Sequence, residues 1–350
     1  MPIRYITNWR SKKFSEIIDV RSPEEYNEDH IPTAINLPVL NNNERTKIGS
    51  IYNKKNSFFA KKLGASLISK NIGYHIKESF LDKPGNWKPL IYCWRGGQRS
   101  KSLAIILSEI GWEVFVIKNG YKRYRNFINE NLNKETSLLK FIVLRGATGT
   151  AKTKILSKLE KLGCPVLNLE ILANHKGSLL GKNINAPQPT QKYFESLIYQ
   201  RIAQFNKKQS IIIESESSKI GNLYLPSKMI RKIETSPCID LLADEKARAD
   251  FLVNDYSKFI LEKNSFKEFF SHAKKKLGNQ IVRNWEESHK KKLWYNLAFQ
   301  LITEYYDPLY EHKKYEKKNL VLEVYKFDKI NSFSINKFSK YIKKKYFNVT

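Results

Sequence analysis

Two glycine-rich loops carry the residues best suited to chemistry. The first lies in KPLIYCWRGGQRSKSLAII, residues 88–106, where an apolar run ends in Cys93 and is followed by Arg95, Gly96, Gly97 and Arg99. A cysteine between a buried strand and a helix stands where α/β folds place their ligands. The backbone N–H groups of WRGGQ can wrap an anion, and a helix starting near Gln98 to Ser100 points its positive end at the same spot. With two guanidinium groups added, these features favour a thiolate over a thiol, so Cys93 is expected to be a nucleophile.

The second loop is RGATGTAKTKIL, residues 145–156, directly after the apolar run FIVL and opening a helical pattern. It follows the phosphate-loop pattern G-x-x-x-x-G-K-[ST] except that Ala151 stands where glycine is usual. Gly146 and Gly149 would let the backbone turn its N–H groups inward. Lys152 would reach terminal phosphates and Thr153 a magnesium ion. The added methyl of Ala151 puts nucleotide hydrolysis in question more than anion binding. A partner strand, SIIIESES, ends in Glu214 and Glu216, either of which can hold a metal through water or polarise a hydroxyl. Alternatively Ser215 or Ser217 caps a helix and the glutamates are solvated. Arg248 in DEKARADFLVNDY is a lid arginine or a solvated helical one, and His175 with Lys176 would contact phosphate or RNA.

Strands and helices that alternate must position these loops. EIIDV, AINLP, PLIYC and EVFVI read as strands separated by helical patterns, which implies a parallel α/β sheet over residues 1–132. The polar NFINENLNKETS, residues 126–137, reads as a linker. A second α/β domain follows over 133–255, with strands at FIVL, PVLNLE, SIIIESES and CIDLLA. From 256 to 350 strand signals fade into helical patterns rich in aromatics, with Lys+Arg exceeding Asp+Glu by 21 to 10. The fold class is therefore α/β, two parallel-sheet domains and a basic helical C-terminal region. That last region suits nucleic-acid backbone contact with base stacking, or else forms a solvated helix face with a frayed tail.

Composition narrows the functional classes. With 350 residues, 41% of them apolar, the chain can build real cores. No apolar run reaches the length of a membrane span and the N-terminus lacks a secretory h-region, so a cytoplasmic protein is expected. Three scattered cysteines, without a CxxC pair or Cys/His cluster, suggest neither a disulfide framework nor a metal site. Cys164 and Cys238 are expected to be buried. A net charge of +28 favours a polyanionic partner, although a proteome-wide drift toward lysine would supply part of it.

IIDVRSPEEYNEDHIPTAINLP followed by IYCWRGGQRSKSLAIILSEIGWEVFVIKNGY resembles a rhodanese domain. The resemblance makes Cys93 the group carrier, with Asp19, Arg21, Gly96 and Gly97 supporting the site and His30 structural. The C-x5-R spacing from Cys93 to Arg99 is one residue longer than the usual sulfurtransferase loop and is shared with cysteine phosphatases, although Tyr92 stands where those keep a histidine. A wider cradle suits a phosphate-bearing donor such as selenophosphate.

A rhodanese-like domain followed by a phosphate-loop domain, together with HKGSLLG (175–181), PQPTQKYFE (187–195) and ESESSKIGNLYLP (214–226), is similar to the tRNA 2-selenouridine synthase family. What that implies is a tRNA carrying 2-thiouridine at the wobble position, geranylated on sulfur by geranyl diphosphate and then selenated by selenophosphate. Cys93 would receive or position selenium, for instance as a perselenide, with Arg95 and Arg99 on the phosphate end. The phosphate-loop domain would cradle the diphosphate or a tRNA phosphate. The implied partners are tRNA and a selenophosphate supplier, with no membrane, no DNA and no tightly bound cofactor. Three other outcomes stay open: sulfur relay or geranylation alone, a cysteine phosphatase, and a non-catalytic tRNA-binding adaptor.

Overall fold

The computed structural model describes residues 2–10, 12–54, 57–177, 181, 186–215, 217–260, 266–314 and 319–347. The chain forms two compact units, one of residues 1–132 with 190–200, the other of 133–189 with 201–350. Among the described residues no helix is long and apolar enough to cross a membrane.

The first unit is built on a parallel sheet of β1 (Arg4–Ile6), β2 (Glu16–Asp19), β3 (Ile35–Asn36), β4 (Pro89–Tyr92) and β5 (Phe115–Ile117), in the order β1-β5-β4-β2-β3. β4 is central and buried along its length, as its unbroken apolar run requires of a strand covered on both faces. The helix Gln98–Ile110 follows it and stops at Gly111, whose φ of 116° is open to glycine and strained for other residues. The expected linker at 126–137 is helical instead, continuing the helix Gly120–Ser137. Its polar composition hid a buried stripe of Tyr121, Tyr124, Ile128 and Leu132, whose spacing is that of one helix face. This unit also takes in residues 190–200, most of the helix Gln191–Ile202.

The second unit holds β6 (Lys140–Gly146), β7 (Val166–Leu167), β8 (Ser210–Glu214), the short antiparallel pair β9 (Lys219–Ile220) and β10 (Leu223–Tyr224), β11 (Cys238–Ala243) and β12 (Val321–Phe327). Its main sheet is parallel in the order β12-β11-β6-β8-β7. The helix Lys152–Lys161 buries Ile155, Leu156 and Leu159 in the same core that receives Ile335, Phe338 and Ile342 from the helix Ser332–Tyr346.

The described residues of 256–350 are thus helical for the most part, but β12 completes the second sheet beside β11. Valine and aromatic residues of VLEVYKF fit a pleated surface, a signal lost among the surrounding lysines. The helix after it is ordered and capped by Asn331, with Lys337, Lys340, Lys344 and Lys345 on its exposed side. A separate aromatic core of Phe266, Phe269, Phe270, Trp285, Leu297 and Tyr305 joins the helices between β11 and β12. There the Trp285 indole donates to Glu304 at 2.7 Å.

Candidate active sites

Cys93 is the first residue after β4 and is 3% exposed. The Gly97 N–H donates to its Sγ at 3.2 Å, and the Ser100 hydroxyl lies 3.2 Å from the same atom. The Ser100 hydroxyl also donates to the Gly97 carbonyl at 3.2 Å, and the helix Gln98–Ile110 starts beside the sulfur with its positive end toward it. Backbone hydrogen bonds pin the loop from behind: Tyr121 N–H donates to the Cys93 carbonyl at 2.8 Å and Lys122 N–H to that of Trp94 at 3.0 Å. At Gly120, φ is +51° and a Cβ would fall 2.0 Å from the Cys93 carbonyl oxygen. Gly96 has φ +66° and is also crowded, with a Cβ there falling 2.8 Å from the Ile117 carbonyl oxygen. Sequence reasoning named Gly96 and missed Gly120 and Ser100. The Asn-Gly dipeptide after β5 was the available signal for the first.

The two loop arginines do not converge on the sulfur. Arg99 turns to Glu25, with hydrogen bonds of 2.5 and 3.1 Å between guanidinium and carboxylate. Burial acts to raise the Glu25 carboxyl, but the hydrogen bonds and charge of Arg99 outweigh it and hold the group below its usual range. Arg95 is exposed and lines an open cleft with Tyr5, Ile6, Thr7 and Lys118. Gly97 and Gln98 form the exposed lip of the loop.

Asp19 and Arg21 are fully buried, and Arg21 donates to Asp19 through Nε at 3.0 Å and through its terminal nitrogen at 2.6 Å. The same guanidinium reaches the Asp29 carbonyl at 2.6 Å and lies 4.0 Å from the Tyr121 ring centre. Because Asp19 is in register with Tyr92, this pair braces the strand end that delivers Cys93. Tyr92 is fully buried and its hydroxyl accepts the Ile31 N–H at 3.1 Å. His30 stacks on Tyr26 at 3.7 Å, its Nδ1 2.8 Å from the Tyr26 carbonyl, and burial lowers its pKa. That is a packing role. Asp29 is buried between the hydroxyls of Tyr121 and Ser196, each donating at 2.8 Å, and burial raises its carboxyl.

In the second unit the loop 146–151 borders a cavity of about 850 Å³. Gly146 is required, since a Cβ there would meet Thr150 Oγ1 at 2.6 Å and the Leu241 carbonyl at 2.8 Å. Ala151 adopts φ 61°, ψ 24°, the left-handed conformation that glycine usually supplies. Its methyl packs in the core at 6% exposure, so the loop closes without glycine. The Lys152 ammonium spans the loop mouth and donates to the Gly146 carbonyl at 2.8 Å. Thr153 donates its hydroxyl to Glu170 in a short hydrogen bond.

Glu170 is therefore the carboxylate that meets the loop, and Glu214 is not. Glu214 is fully buried behind it and accepts the Glu170 N–H at 2.8 Å. Glu216 lies outside the described residues. Glu170 escaped notice because PVLNLE reads as one strand, whereas the strand ends at Leu167 and Asn168 caps a helical turn at Leu169–Leu172. Burial raises the Glu170 carboxyl above its usual range. Thr153 and Glu170 together give hard oxygen donors that fit magnesium. Among the described residues no group of three or more His, Cys, Asp or Glu could hold a metal by itself.

The other polar groups around the loop are tied down. Arg248 donates to the Thr148 carbonyl at 3.2 Å and forms a bidentate pair with Asp307 at 2.6 and 2.8 Å, so it clamps the loop tip rather than being solvated. Lys176 lines the cavity, bonds Asp255 at 2.8 Å and lies 4.1 Å from the Tyr256 ring centre. Burial would raise Asp255, but Lys154 and Lys176 outweigh it and keep the carboxylate below its usual range. Nδ1 of His175 accepts the Gly177 N–H at 3.1 Å. Cys164 and Cys238 are buried.

Comparison with known proteins agrees with both halves. A family model described as the tRNA 2-selenouridine synthase AAA domain matches residues 139–340, and one for the rhodanese-like domain matches residues 5–127. The tRNA 2-selenouridine synthase of Sulfurovum sp. is 31% identical over 85% of this chain and 88% of that protein. The one from Shewanella denitrificans is 30% identical over 87% of this chain and 90% of its own length. The Bdellovibrio bacteriovorus relative of the same description is 34% identical over 69% and 64%.

Proposed function

This chain belongs to the tRNA 2-selenouridine synthase family, and on that premise we propose that it converts 2-thiouridine at the wobble position of tRNA to 2-selenouridine by way of an S-geranyl intermediate, in the cytoplasm. The observation that carries this reading is a thiol at the start of a helix, accepting a loop N–H, in one unit and a phosphate loop bordering a large cavity in the other.

In the first step the thiocarbonyl sulfur forms a bond to C1 of geranyl diphosphate as the C–O bond breaks and diphosphate leaves. S-alkylation turns a poor leaving group into a better one. Lys152 and the N–H groups after Gly146 hold the diphosphate and take up its growing charge. Thr153 and Glu170 would hold magnesium, which when bound neutralises diphosphate further.

In the second step selenium of selenophosphate adds to C2 of the base, and geranylthiolate leaves and is protonated. The Se–P bond must then break. Selenium in selenophosphate is already fully reduced, so its transfer to a thiolate as perselenide would require an oxidant that this donor does not supply. The Cys93 thiolate is instead suited to accept the phosphoryl group: S–P forms as Se–P breaks, and water releases phosphate. No atom changes oxidation state. A selenophosphate-forming reaction must supply the donor.

Nucleoside mass spectrometry of 2-thiouridine tRNA incubated with geranyl diphosphate, selenophosphate and the protein tests the proposal. Geranylthiouridine followed by selenouridine is expected. Unmodified tRNA that is merely bound would leave the adaptor reading in its place.

A further inference from the structure

Beside the phosphate loop, and sharing part of the cavity wall, is a narrow recess lined almost wholly by apolar side chains. Leu252 and Val253 come from the helix Glu245–Asp255, and Trp294, Leu297, Ala298 and Leu301 from the helix Trp294–Leu301. Thr148, Leu252, Tyr256 and Tyr306 line both the recess and the phosphate-loop cavity, so the two spaces adjoin. Cationic Lys176 lies 4.1 Å from the ring centre of Tyr256, at the junction.

An apolar recess that adjoins a phosphate cradle suits a ligand with an anionic head and an apolar tail. A nucleotide fits poorly, because its base would meet Trp, Leu, Ala and Phe where its polar edges need donors and acceptors. We propose that this recess is the tail subsite for the isoprenoid chain of the diphosphate substrate, and that Ala298 and Val253, facing it from two helices, limit the chain length accepted. The inference rests on the phosphate loop being the diphosphate site. It adds that the helices between β11 and β12 supply substrate specificity.

Calorimetric titration of the full chain with geranyl diphosphate, dimethylallyl diphosphate and inorganic pyrophosphate tests it, using wild type, Ala298→Phe, Val253→Phe and Lys152→Ala. Wild type should bind geranyl diphosphate at least about tenfold more tightly than the five-carbon analogue, since each buried methylene contributes roughly fourfold. Each Phe variant should lose that preference and keep its pyrophosphate affinity, which also shows that it is folded. Equal wild-type affinity for the two isoprenoids overturns the proposal. So does a preference kept by both Phe variants while pyrophosphate binding still needs Lys152, and in that case the phosphate-loop reading stands. If Lys152→Ala weakens none of the three ligands, the phosphate-loop reading fails and takes the tail subsite with it.

Discussion

Arg99 is held by Glu25 through hydrogen bonds of 2.5 and 3.1 Å, so the arginine of the C-x5-R loop is oriented by a carboxylate on the neighbouring helix Pro23–Glu28. The Glu25 carboxyl is held below its ordinary value of 4.5, so the stability the pair contributes is fully present above that pH and is lost as pH falls through the depressed folded-state value. Glu25→Gln should cost about 1–2 kcal/mol at neutral pH by leaving a part-buried guanidinium poorly paired. Urea midpoints measured from neutral to acid pH should show the variant converging on wild type at the acid end.

Cys93→Ala should abolish selenouridine formation and leave geranylation at the wild-type rate, read by nucleoside mass spectrometry of both products. Cys93→Ser should behave the same way, since serine lacks the thiolate. A phosphorylated Cys93 in protein quenched during turnover would support phosphoryl transfer. Selenium bound there would overturn it.

Gly120→Ala places a methyl against the Cys93 carbonyl in a backbone conformation that favours glycine. The loop must shift to accept it, at a cost of about 2–4 kcal/mol. Thermal unfolding should show the loss, and thiol alkylation kinetics at Cys93 should change in the folded fraction.

Lys152→Ala should weaken diphosphate binding and slow geranyl transfer by on the order of a hundredfold. Glu170→Gln should leave the fold intact and reduce the magnesium dependence of the same step. Titrating geranyl transfer with magnesium separates the two effects, because only Glu170→Gln shifts the magnesium midpoint at saturating diphosphate.

Asp307→Asn should loosen the clamp on the Thr148 carbonyl by weakening its hold on Arg248. Faster hydrogen exchange over residues 148–151 and a raised KM for geranyl diphosphate are expected, with kcat changed less. An unchanged exchange rate would show that Arg248 holds the loop without Asp307.

The sequence made the loops plain and their surroundings obscure. Cys93, Gly96, Gly146 and Lys152 stand in short motifs whose chemistry depends on neighbours in the chain, and all lie where their spacing requires. Glu170, Asp307 and Glu25 act through side-chain partners 17 to 74 residues away, and Gly120 through its close approach to the Cys93 carbonyl, so no local pattern marks them. Glu214 misled for the opposite reason. A carboxylate at a strand end looks like a ligand, yet its oxygen is used by the backbone of the residue that reaches the loop. β12 was missed because its apolar residues sit between lysine-rich segments, where composition outweighs a seven-residue pattern.

Residues 190–200 belong to the first unit although sequence from the second lies on both sides of them. Ser196, which bonds the buried Asp29, and Tyr193, which lies against His30, are therefore supplied from beyond the phosphate loop. No single cut separates the gene into two self-sufficient halves. An exchange of residues 1–132 alone would deliver a rhodanese-like unit lacking part of its own interior, so the two units are constrained to be inherited together.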